Sequence, residues 1–346
     1  MDYRTLGRSG CAVSHLALGT MTFGKETDES TAHAQLDRFV EAGGTLVDTA
    51  DVYNAGISEQ IIGTWMARQP VTVRDSIVLA TKARFPMGIG PNDAGLSRRH
   101  LSRALDASLR RLGIADVDLY QVHAYDPLTP LDETMRFLDD AVRAGKVHYV
   151  GLSNFTGWQL QRAVDLAEHQ HLSRPVTLQP QYNLLAREIE WEIVPAAQAN
   201  GLGLLPWSPL GGGWLTGKYT REAPPTGATR LGEDPERGVE AYAGRSRQQR
   251  TWDVVDALRA IAAARAIPMA QVALAWLAAR PAVTSVILGA RTVEQLIDNL
   301  GAADVRLGDT ETAALDAASD PGAADYPYGG PGRAQRSRDI AGAGGA

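Results

Sequence analysis

The sequence predicts an α/β fold, a (β/α)8 TIM barrel with an N-terminal β-hairpin and extra C-terminal helices. Short, nearly continuous apolar runs alternate with segments whose apolar residues recur at helical spacing, as in a parallel sheet covered by helices. Eight such units follow one another over about 320 residues, which favours a closed barrel over an open sheet. The residues that close these runs are polar or otherwise unusual, and the strand ends of such a barrel carry its active site.

Each element is predicted in chain order from its apolar period and its flanking turn residues. A hairpin is expected within residues 4–13, because Gly7 to Gly10 separate two short runs. Strands are expected at 16–18, 46–48, 77–82, 117–123, 149–153, 177–181, 203–207 and 284–288. Helices are expected at 30–42, 58–66, 97–112, 131–144, 156–170, 191–200, 250–266, 269–279, 292–300 and 310–318. A single domain is expected over 1–320, with a long polar loop after 207 and a flexible Gly- and Ala-rich tail at 321–346.

The composition of the 346 residues is that of an ordinary globular protein, with 44% hydrophobic residues and a net charge of −6. That charge argues against binding to nucleic acid or to an anionic membrane, and no apolar run approaches about 18 residues. The single cysteine, Cys11, and an N-terminus without a signal peptide favour a cytoplasmic location. No metal site is expected, because the only close histidine pair, His169 and His171, lies near a helix end. The pattern does not indicate an oligomeric state.

Four side chains with complementary chemistry lie at the ends of three successive strands. Asp48, Lys82 and His123 each close a strand, and Tyr53 lies on the loop five residues after Asp48. An adjacent ammonium lowers the pKa of a phenol, and a shift from near 10 to near 7 needs roughly 4 kcal/mol. The aspartate would hold the lysine, and the histidine would orient a carbonyl. Each residue alone is compatible with a structural role, but together they favour a site that protonates an alkoxide while hydride reaches carbon, or runs in reverse.

Ordered motifs along the chain resemble those of the aldo-keto reductase family, from about Tyr3 to Leu315. They are Leu18-Gly-Thr20, Asp48-Thr-Ala-x-x-Tyr53, Ala80-Thr-Lys82, Gln121-Val-His123, Gly145-Lys146, Gly151-x-Ser-Asn154, Gln179-x-x-Tyr182-Asn183, Trp207-Ser-Pro-Leu210, Gly217-Lys218 and Gly289-x-x-x-x-Glu294-Gln295 with Asn299. The resemblance implies a barrel enzyme that uses NADPH to reduce a small-molecule aldehyde or ketone. It makes Tyr53 the general acid, Lys82 the group that tunes it, Asp48 the partner of Lys82, and His123 the group that orients the carbonyl.

The resemblance also implies which residues bind NADP(H). Ser153, Asn154 and Gln179 would bond the nicotinamide carboxamide, and Trp207 would stack on its ring. The other residues expected along the cofactor are Gly19, Thr20, Met21, Asp48, Ser208, Pro209, Leu210, Gly211, Lys218, Arg230, Gly289, Arg291, Gln295 and Asn299. Arg291 is expected at a 2′-phosphate, because a guanidinium pairs well with that group. The alternative for Arg291 is a solvated charge at the start of a helix.

The substrate pocket is expected to be lined by Met21, Phe23, Tyr53, His123, Ala124, Tyr125 and Trp214, and more weakly by Tyr326 and Tyr328. Their aromatic content favours a ring-bearing or hydrophobic carbonyl compound. A second function stays open, that of an NADP-binding regulatory or redox-sensing subunit with little turnover, as some relatives of this fold are. The complete set of four catalytic residues favours the enzyme.

Overall fold

The computed structural model describes residues 1–221, 224–227, 229–236 and 238–337. Within them, two short antiparallel strands precede a sheet of eight parallel strands. The antiparallel pair is β1 (Tyr3–Thr5) with β2 (Ala12–Ser14). The parallel strands are β3 (Leu16–Gly19), β4 (Leu46–Asp48), β5 (Val78–Ala83), β6 (Val117–Val122), β7 (Val147–Ser153), β8 (Pro175–Gln179), β9 (Gly203–Leu204) and β10 (Val286–Leu288).

The parallel sheet closes into a barrel. Its strand order is β10-β3-β4-β5-β6-β7-β8-β9, so consecutive strands from β3 to β9 lie side by side and the last strand, β10, pairs with the first parallel strand, β3. The remaining seam is joined by backbone hydrogen bonds, from Leu204 N to Ala282 O at 2.7 Å and from Ile287 N to Pro206 O at 3.1 Å. The predicted (β/α)8 barrel with its N-terminal hairpin is therefore confirmed.

Helices follow the strands and cover the outside of the barrel, where a large apolar cluster fills the space between the two layers. They are α1 (Glu29–Glu41), α2 (Ile57–Arg68), α3 (Val71–Arg74), α4 (Arg98–Leu112), α5 (Leu131–Arg143), α6 (Gly157–His169), α7 (Ile193–Asn200), α8 (Arg230–Glu233), α9 (Tyr242–Ser246), α10 (Gln249–Arg265), α11 (Met269–Ala278), α12 (Val293–Leu300), α13 (Asp309–Ala318) and α14 (Gly330–Ala334). The predicted helices lie within one to two residues of these bounds. The short helices α8 and α9 fall in the segment that was expected to be a polar loop.

The interior of the barrel is apolar at one end and polar at the other. Side chains two residues apart in a strand share a face, so Leu46 shares the interior face with Asp48, and Ala80 shares it with Lys82. The apolar members form a second buried cluster of their own, together with Leu6 from the hairpin. The hairpin thus closes the end of the barrel at which the strands begin, and the polar side chains are left at the end where the strands finish.

The segment after residue 320 contacts the body of the protein through Tyr328. Its ring stacks on Trp191 with the centroids 5.5 Å apart, and its hydroxyl donates to Glu192 at 2.6 Å. The rest of the tail, residues 338–346, lies outside the described residues. The expected flexibility of the tail stays a prediction.

Candidate active site

The four side chains expected at the strand ends lie together. Asp48 ends β4, Lys82 lies near the end of β5, and His123 follows β6. Tyr53 begins a single 3-10 turn after β4, in which Asn54 and Ala55 adopt left-handed backbone angles. Lys82 Nζ lies 5.0 Å from the centre of the Tyr53 ring, and the Tyr53 and His123 rings are 5.8 Å apart, edge to face. Neighbouring strands therefore bring side chains that are distant in sequence to one end of the barrel.

The pair of Asp48 and Lys82 is buried and fully hydrogen-bonded. Lys82 Nζ donates to Asp48 Oδ2 at 2.7 Å and to the Thr49 carbonyl at 2.7 Å. Asp48 Oδ1 accepts from the side-chain amides of Gln179 at 2.8 Å and of Gln121 at 3.2 Å. Burial lowers the pKa of Lys82, but the charges of Asp48 and Tyr53 and the hydrogen bonds to them together outweigh burial and leave that pKa raised. The lysine is therefore held as an ammonium ion.

The pKa of Tyr53 differs from the sequence-based expectation. Enclosure by the protein raises it above its ordinary value, and the charge of Asp48 adds to this, whereas the Lys82 ammonium lowers it only in part. The expected lowering of the Tyr53 pKa toward 7 is therefore wrong for this state of the site. The loss of hydration destabilises the phenolate more than the Lys82 ammonium, whose charge is partly neutralised by Asp48, stabilises it. The hydroxyl consequently keeps its proton at neutral pH, which is the state that a proton donor requires.

His123 is held in its neutral form. Burial lowers the pKa of its imidazole well below the ordinary value, and the cations Lys82 and Arg84 lower it further. Its Nδ1 atom is buried and has no hydrogen-bond partner among the described residues. The ring of Phe85 packs edge-on against the imidazole with the centroids 4.7 Å apart. A neutral imidazole fixed in this way can donate one N–H to a carbonyl oxygen.

Asp48, Tyr53 and His123 line a cleft of about 700 Å³ at the mouth of the barrel. Tyr53 and His123 line it at one end, whereas Lys82 is buried beneath Tyr53. The cleft is also lined by every residue expected to bind the cofactor except Gly211, namely Gly19, Thr20, Met21, Asp48, Ser153, Asn154, Gln179, Trp207, Ser208, Pro209, Leu210, Lys218, Arg230, Gly289, Arg291, Gln295 and Asn299. Residues from the ends of many strands thus share one elongated groove.

The end of the groove near Tyr53 has an aromatic wall in a fixed orientation. Trp207 Nε1 donates to Asn154 Oδ1 at 3.0 Å, and Asn154 Nδ2 donates to the carbonyl of His123 at 2.9 Å. Asn154 has a left-handed φ of 53°, which an asparagine tolerates better than most residues. Ser153 Oγ donates to the carbonyl of Gln179 at 3.0 Å. The indole is therefore tied to the strand ends that carry the acid–base residues.

The other end of the groove carries three cations. Burial lowers the pKa of Lys218, and the nearby charges of Arg291 and Arg230 lower it further. Arg291 is itself shared between two carboxylates, since its Nε donates to Glu26 at 3.0 Å and its two terminal nitrogens donate to Glu233 at 3.0 Å each. Arg291 is therefore more than a solvated charge at a helix start, because it joins three segments around the groove.

A family model described as the Aldo/keto reductase family matches residues 15–320. The chain belongs to the aldo/keto reductase family. It is similar to the Uncharacterized oxidoreductase YrpG of Bacillus subtilis, with 41% identity over 89% of this chain and 92% of that protein. It is similar to a Probable voltage-gated potassium channel subunit beta of Oryza sativa, with 39% identity over 88% of this chain and 92% of that protein. It is also 36% identical to Protein tas of Escherichia coli, over 92% of this chain and 97% of that protein.

Several residues expected in the substrate pocket of this aldo/keto reductase lie elsewhere. Met21, Tyr53 and His123 line the cleft, and Met21 is 39% exposed. Phe23 and Trp214 are in the apolar core, with relative exposures of 0% and 1%. Both aromatic side chains follow the ends of strands in sequence, but the backbone after each strand buries them, and Trp214 packs against Tyr219, Tyr242 and Trp252. Their assignment to the pocket is corrected on that ground.

The remaining expected pocket residues are also absent from the wall of the cleft. Tyr125 lines a separate groove of about 360 Å³ beside Trp158, and its ring packs against Phe155 at 5.4 Å. Ala124, next to it, is half-buried and does not line the cleft. Tyr326 is 72% exposed, and Tyr328 is engaged with Trp191 and Glu192. Gly211, expected at the cofactor, lies just behind the groove, beside Leu185 and Trp214.

Two residues that contact the catalytic set were missed at the level of sequence. Phe85 follows Lys82 by three residues and covers His123. Gln121 lies on β6 two residues before His123 and pairs in register with Lys82 of β5, and its place near the end of the strand was a usable signal for its contact with Asp48. The acidic residues Glu26 and Glu233 could not have been paired with Arg291 from sequence, because Glu26 lies on a loop and Glu233 on a four-residue helix, too short to show a periodic pattern.

Among the described residues, no group of three or more His, Cys, Asp or Glu side chains could hold a metal ion. Within the same part of the chain, no single helix is long and apolar enough to cross a membrane. Only α10 and α11 taken together reach that length and apolar character, and they are bent by 104° at the break between them.

Proposed function

We propose that this oxidoreductase is an NADP(H)-dependent reductase of aldehydes and ketones, with Tyr53 as its general acid. The observation that carries the proposal is the placement of Tyr53 and His123 at one end of a groove whose nearby wall is the fixed face of Trp207. A nicotinamide fits this end because the indole offers an aromatic face for its ring. The amide and hydroxyl groups of Ser153, Asn154 and Gln179 lie beside that face. When bound, the cofactor supplies a hydride to the carbonyl carbon.

The protein's own residues would bind and protonate the oxygen of the same carbonyl. The neutral imidazole of His123 donates an N–H to it and fixes its orientation. The Tyr53 hydroxyl, protonated at neutral pH, donates its proton as negative charge develops on the oxygen. The buried Lys82 ammonium then stabilises the phenolate that remains, and Asp48 keeps Lys82 in place. In the oxidative direction the same groups take up the proton.

Arg291 supports the choice of NADP(H) over NAD(H). Together with Lys218 and Arg230 it brings three cations to the wall of the groove, as an additional phosphate would require. Glu233 holds Arg291 through a two-pronged ion pair at 3.0 Å, in the way that a phosphate would. A 2′-phosphate at this place would therefore take over bonds that Glu233 now makes.

The substrate class that we propose is a ring-bearing or otherwise hydrophobic carbonyl compound. The exposed side chain of Met21 lies on the wall of the cleft. An apolar side chain in this position favours an apolar group on the carbonyl carbon. The presence of a single cysteine, Cys11, supports a cytoplasmic location.

A second candidate function is a nicotinamide-binding regulatory subunit with little turnover. The similarity to proteins named as probable voltage-gated potassium channel beta subunits, at 39% and 37% identity, favours keeping it. The two functions share the groove and differ in turnover.

The experiment that separates the two functions measures NADPH binding and NADPH oxidation on the same preparation, with aromatic aldehydes, aliphatic ketones and open-chain sugars as substrates. The enzyme proposal predicts binding together with steady oxidation, fastest with the aromatic aldehydes. Tight binding without turnover of any carbonyl would support the regulatory subunit. Activity confined to charged sugars would contradict the substrate class alone.

A further inference from the structure

A buried carboxyl group on the catalytic loop has no part in the chemistry described so far. Asp51 lies between Asp48 and Tyr53, and its relative exposure is 0%. Its backbone N–H donates to the carbonyl of Lys82 at 3.0 Å, which ties it to the strand that carries the ammonium group. Neither of its carboxylate oxygens accepts a hydrogen bond from any described residue. A buried carboxylate without donors is costly, because nothing replaces the water that it loses.

Arg111, a cation whose charge acts on this carboxyl group, is already engaged. Glu59 on α2 is likewise fully buried, and its Oε2 accepts from Arg111 Nε on α4 at 2.6 Å. Its Oε1 accepts from the Thr81 hydroxyl of β5 at 2.6 Å. Glu59 is therefore an ion-paired carboxylate with both oxygens satisfied, and its negative charge opposes a second one at Asp51.

Charged and titratable groups face Asp51 from every element packed around it. They are Glu59 of α2, Arg111 of α4, Lys82 of β5 and Tyr120 of β6. The hydroxyl of Tyr120 is buried and, like Asp51, has no partner among the described residues. Burial first, and then the negative charge of Glu59, raises the pKa of Asp51 to about 7. The adjacent Val52 N–H lowers this pKa without completing a hydrogen bond, and Arg111 and Lys82 lower it further.

The charge of Asp51 reaches both members of the proton-donating pair. A negative Asp51 is among the causes that raise the pKa of Tyr53, and it is drawn toward the Lys82 ammonium. Ionisation would therefore make Tyr53 a weaker acid. It would also place two carboxylates in repulsion beneath the loop that carries the phenol.

We propose that Asp51 is a positioning residue that holds a proton while the site is active, and that loss of this proton to solvent weakens proton donation by Tyr53. The inference rests on the proposed reductase function, because it assigns a regulator to that reaction. Under this proposal the reductase slows down as the pH rises through neutrality. The group that titrates, Asp51, contacts neither substrate nor cofactor.

The proton has a consequence for folding that does not depend on turnover. In the unfolded chain Asp51 ionises near its ordinary pKa of 3.8, whereas in the folded chain it does so near 7. Between these values the folded state binds more protons, so the contribution of Asp51 to stability falls as the pH rises and then levels off. From pH 5 to pH 8 this group alone should raise the unfolding equilibrium constant by about 10²-fold.

The test compares the full-length wild-type protein with Asp51→Asn, which keeps the shape of the side chain and stays neutral. Urea unfolding at pH 5 and pH 8 should show that about 10²-fold change in the wild type beyond any change in Asp51→Asn. The kcat of carbonyl reduction should fall from pH 6 to pH 8 in the wild type, by at most about tenfold, which is the fall in the protonated fraction of Asp51. In Asp51→Asn the decline should move to the alkaline range in which Tyr53 ionises. Asp37→Asn, at an exposed position on α1, is the matched control and should follow the wild type.

If the unfolding equilibrium constants of the wild type and of Asp51→Asn change equally between pH 5 and pH 8, the proposal that Asp51 holds a proton is overturned. A clear difference in unfolding with coincident kcat profiles would overturn the positioning role and leave the proton in place. Absence of turnover in the wild type would count against the reductase function, while the unfolding measurement would still decide the protonation of Asp51. If Asp51→Asn does not fold, infrared titration of the wild type should show a protonated carboxyl band that is lost near pH 7. Absence of that band at pH 6 would overturn the proposal.

Discussion

Removing the ammonium group from the buried pair is the perturbation whose magnitude the structure defines best. Lys82→Met keeps the length of the side chain and leaves Asp48 buried, with only the amides of Gln121 and Gln179 as donors. Breaking a buried ion pair on one side costs about 3–5 kcal/mol, because the remaining charge stays out of water. Unfolding entropy of about 2.1 cal/mol/K per residue gives roughly 0.7 kcal/mol/K for 346 residues. The expected loss is thus about 4–7 °C in Tm.

The chain offers a control with the same contact distance. Lys146 Nζ lies 2.7 Å from Asp106 Oδ1, as Lys82 Nζ lies 2.7 Å from Asp48 Oδ2, but the Lys146 pair is 44% and 47% exposed, compared with 0% and 3%. An exposed pair contributes at most about 1 kcal/mol, so Lys146→Met should lower Tm by less than about 2 °C.

Differential scanning calorimetry measures both shifts, and steady-state kinetics supplies a second readout. Lys82→Met should lower kcat by at least about 10²-fold, because the phenolate of Tyr53 loses its neighbouring cation. Lys146→Met should leave kcat unchanged. Equal Tm shifts in the two variants would refute the reasoning, since the two pairs share the contact distance and differ in burial and in the hydrogen bonds that burial requires.

Two further predictions concern the choice of cofactor. Arg291→Ala should weaken NADPH binding by roughly 10- to 100-fold and NADH binding very little, because only NADPH carries the phosphate that the guanidinium would bind. Glu233→Gln should have the opposite effect and tighten NADPH binding alone, since it removes a carboxylate that competes for the two terminal nitrogens of Arg291. Fluorescence titration of each variant with both cofactors checks these outcomes. Parallel changes for NADPH and NADH would contradict the phosphate role.

The barrel and the position of the catalytic residues follow from local pattern. A parallel strand covered on both faces is apolar along its length, so a polar residue at its end, such as Asp48 or Lys82, marks the mouth of the barrel. Because side chains alternate across a strand, the interior neighbours of those residues could also be placed. The bounds of the long helices could be predicted from a periodic pattern as well, since each of these helices has apolar residues at regular spacing along one face.

Features that depend on how loops fold could not be obtained in this way. Phe23 and Trp214 lie on segments without a regular period, and whether such a ring enters the cleft or the core depends on the backbone path. The pKa of Tyr53 could not be predicted from the sequence either, because it depends on the balance between burial and one nearby cation. Proximity to Lys82 was foreseen, whereas the loss of hydration around the hydroxyl was not.

The most direct test of the account is single-turnover reduction of an aromatic aldehyde by NADPH bound to the wild type and to Tyr53→Phe. Removing only the hydroxyl should leave the affinity for NADPH within about twofold of the wild-type value, because the phenol is proposed to donate the proton and not to bind the cofactor. It should slow the oxidation of bound NADPH by at least about 10²-fold, the contribution expected of a positioned general acid. Undiminished oxidation in Tyr53→Phe, or an equal loss of binding and rate, would contradict the assignment of Tyr53 as the proton donor.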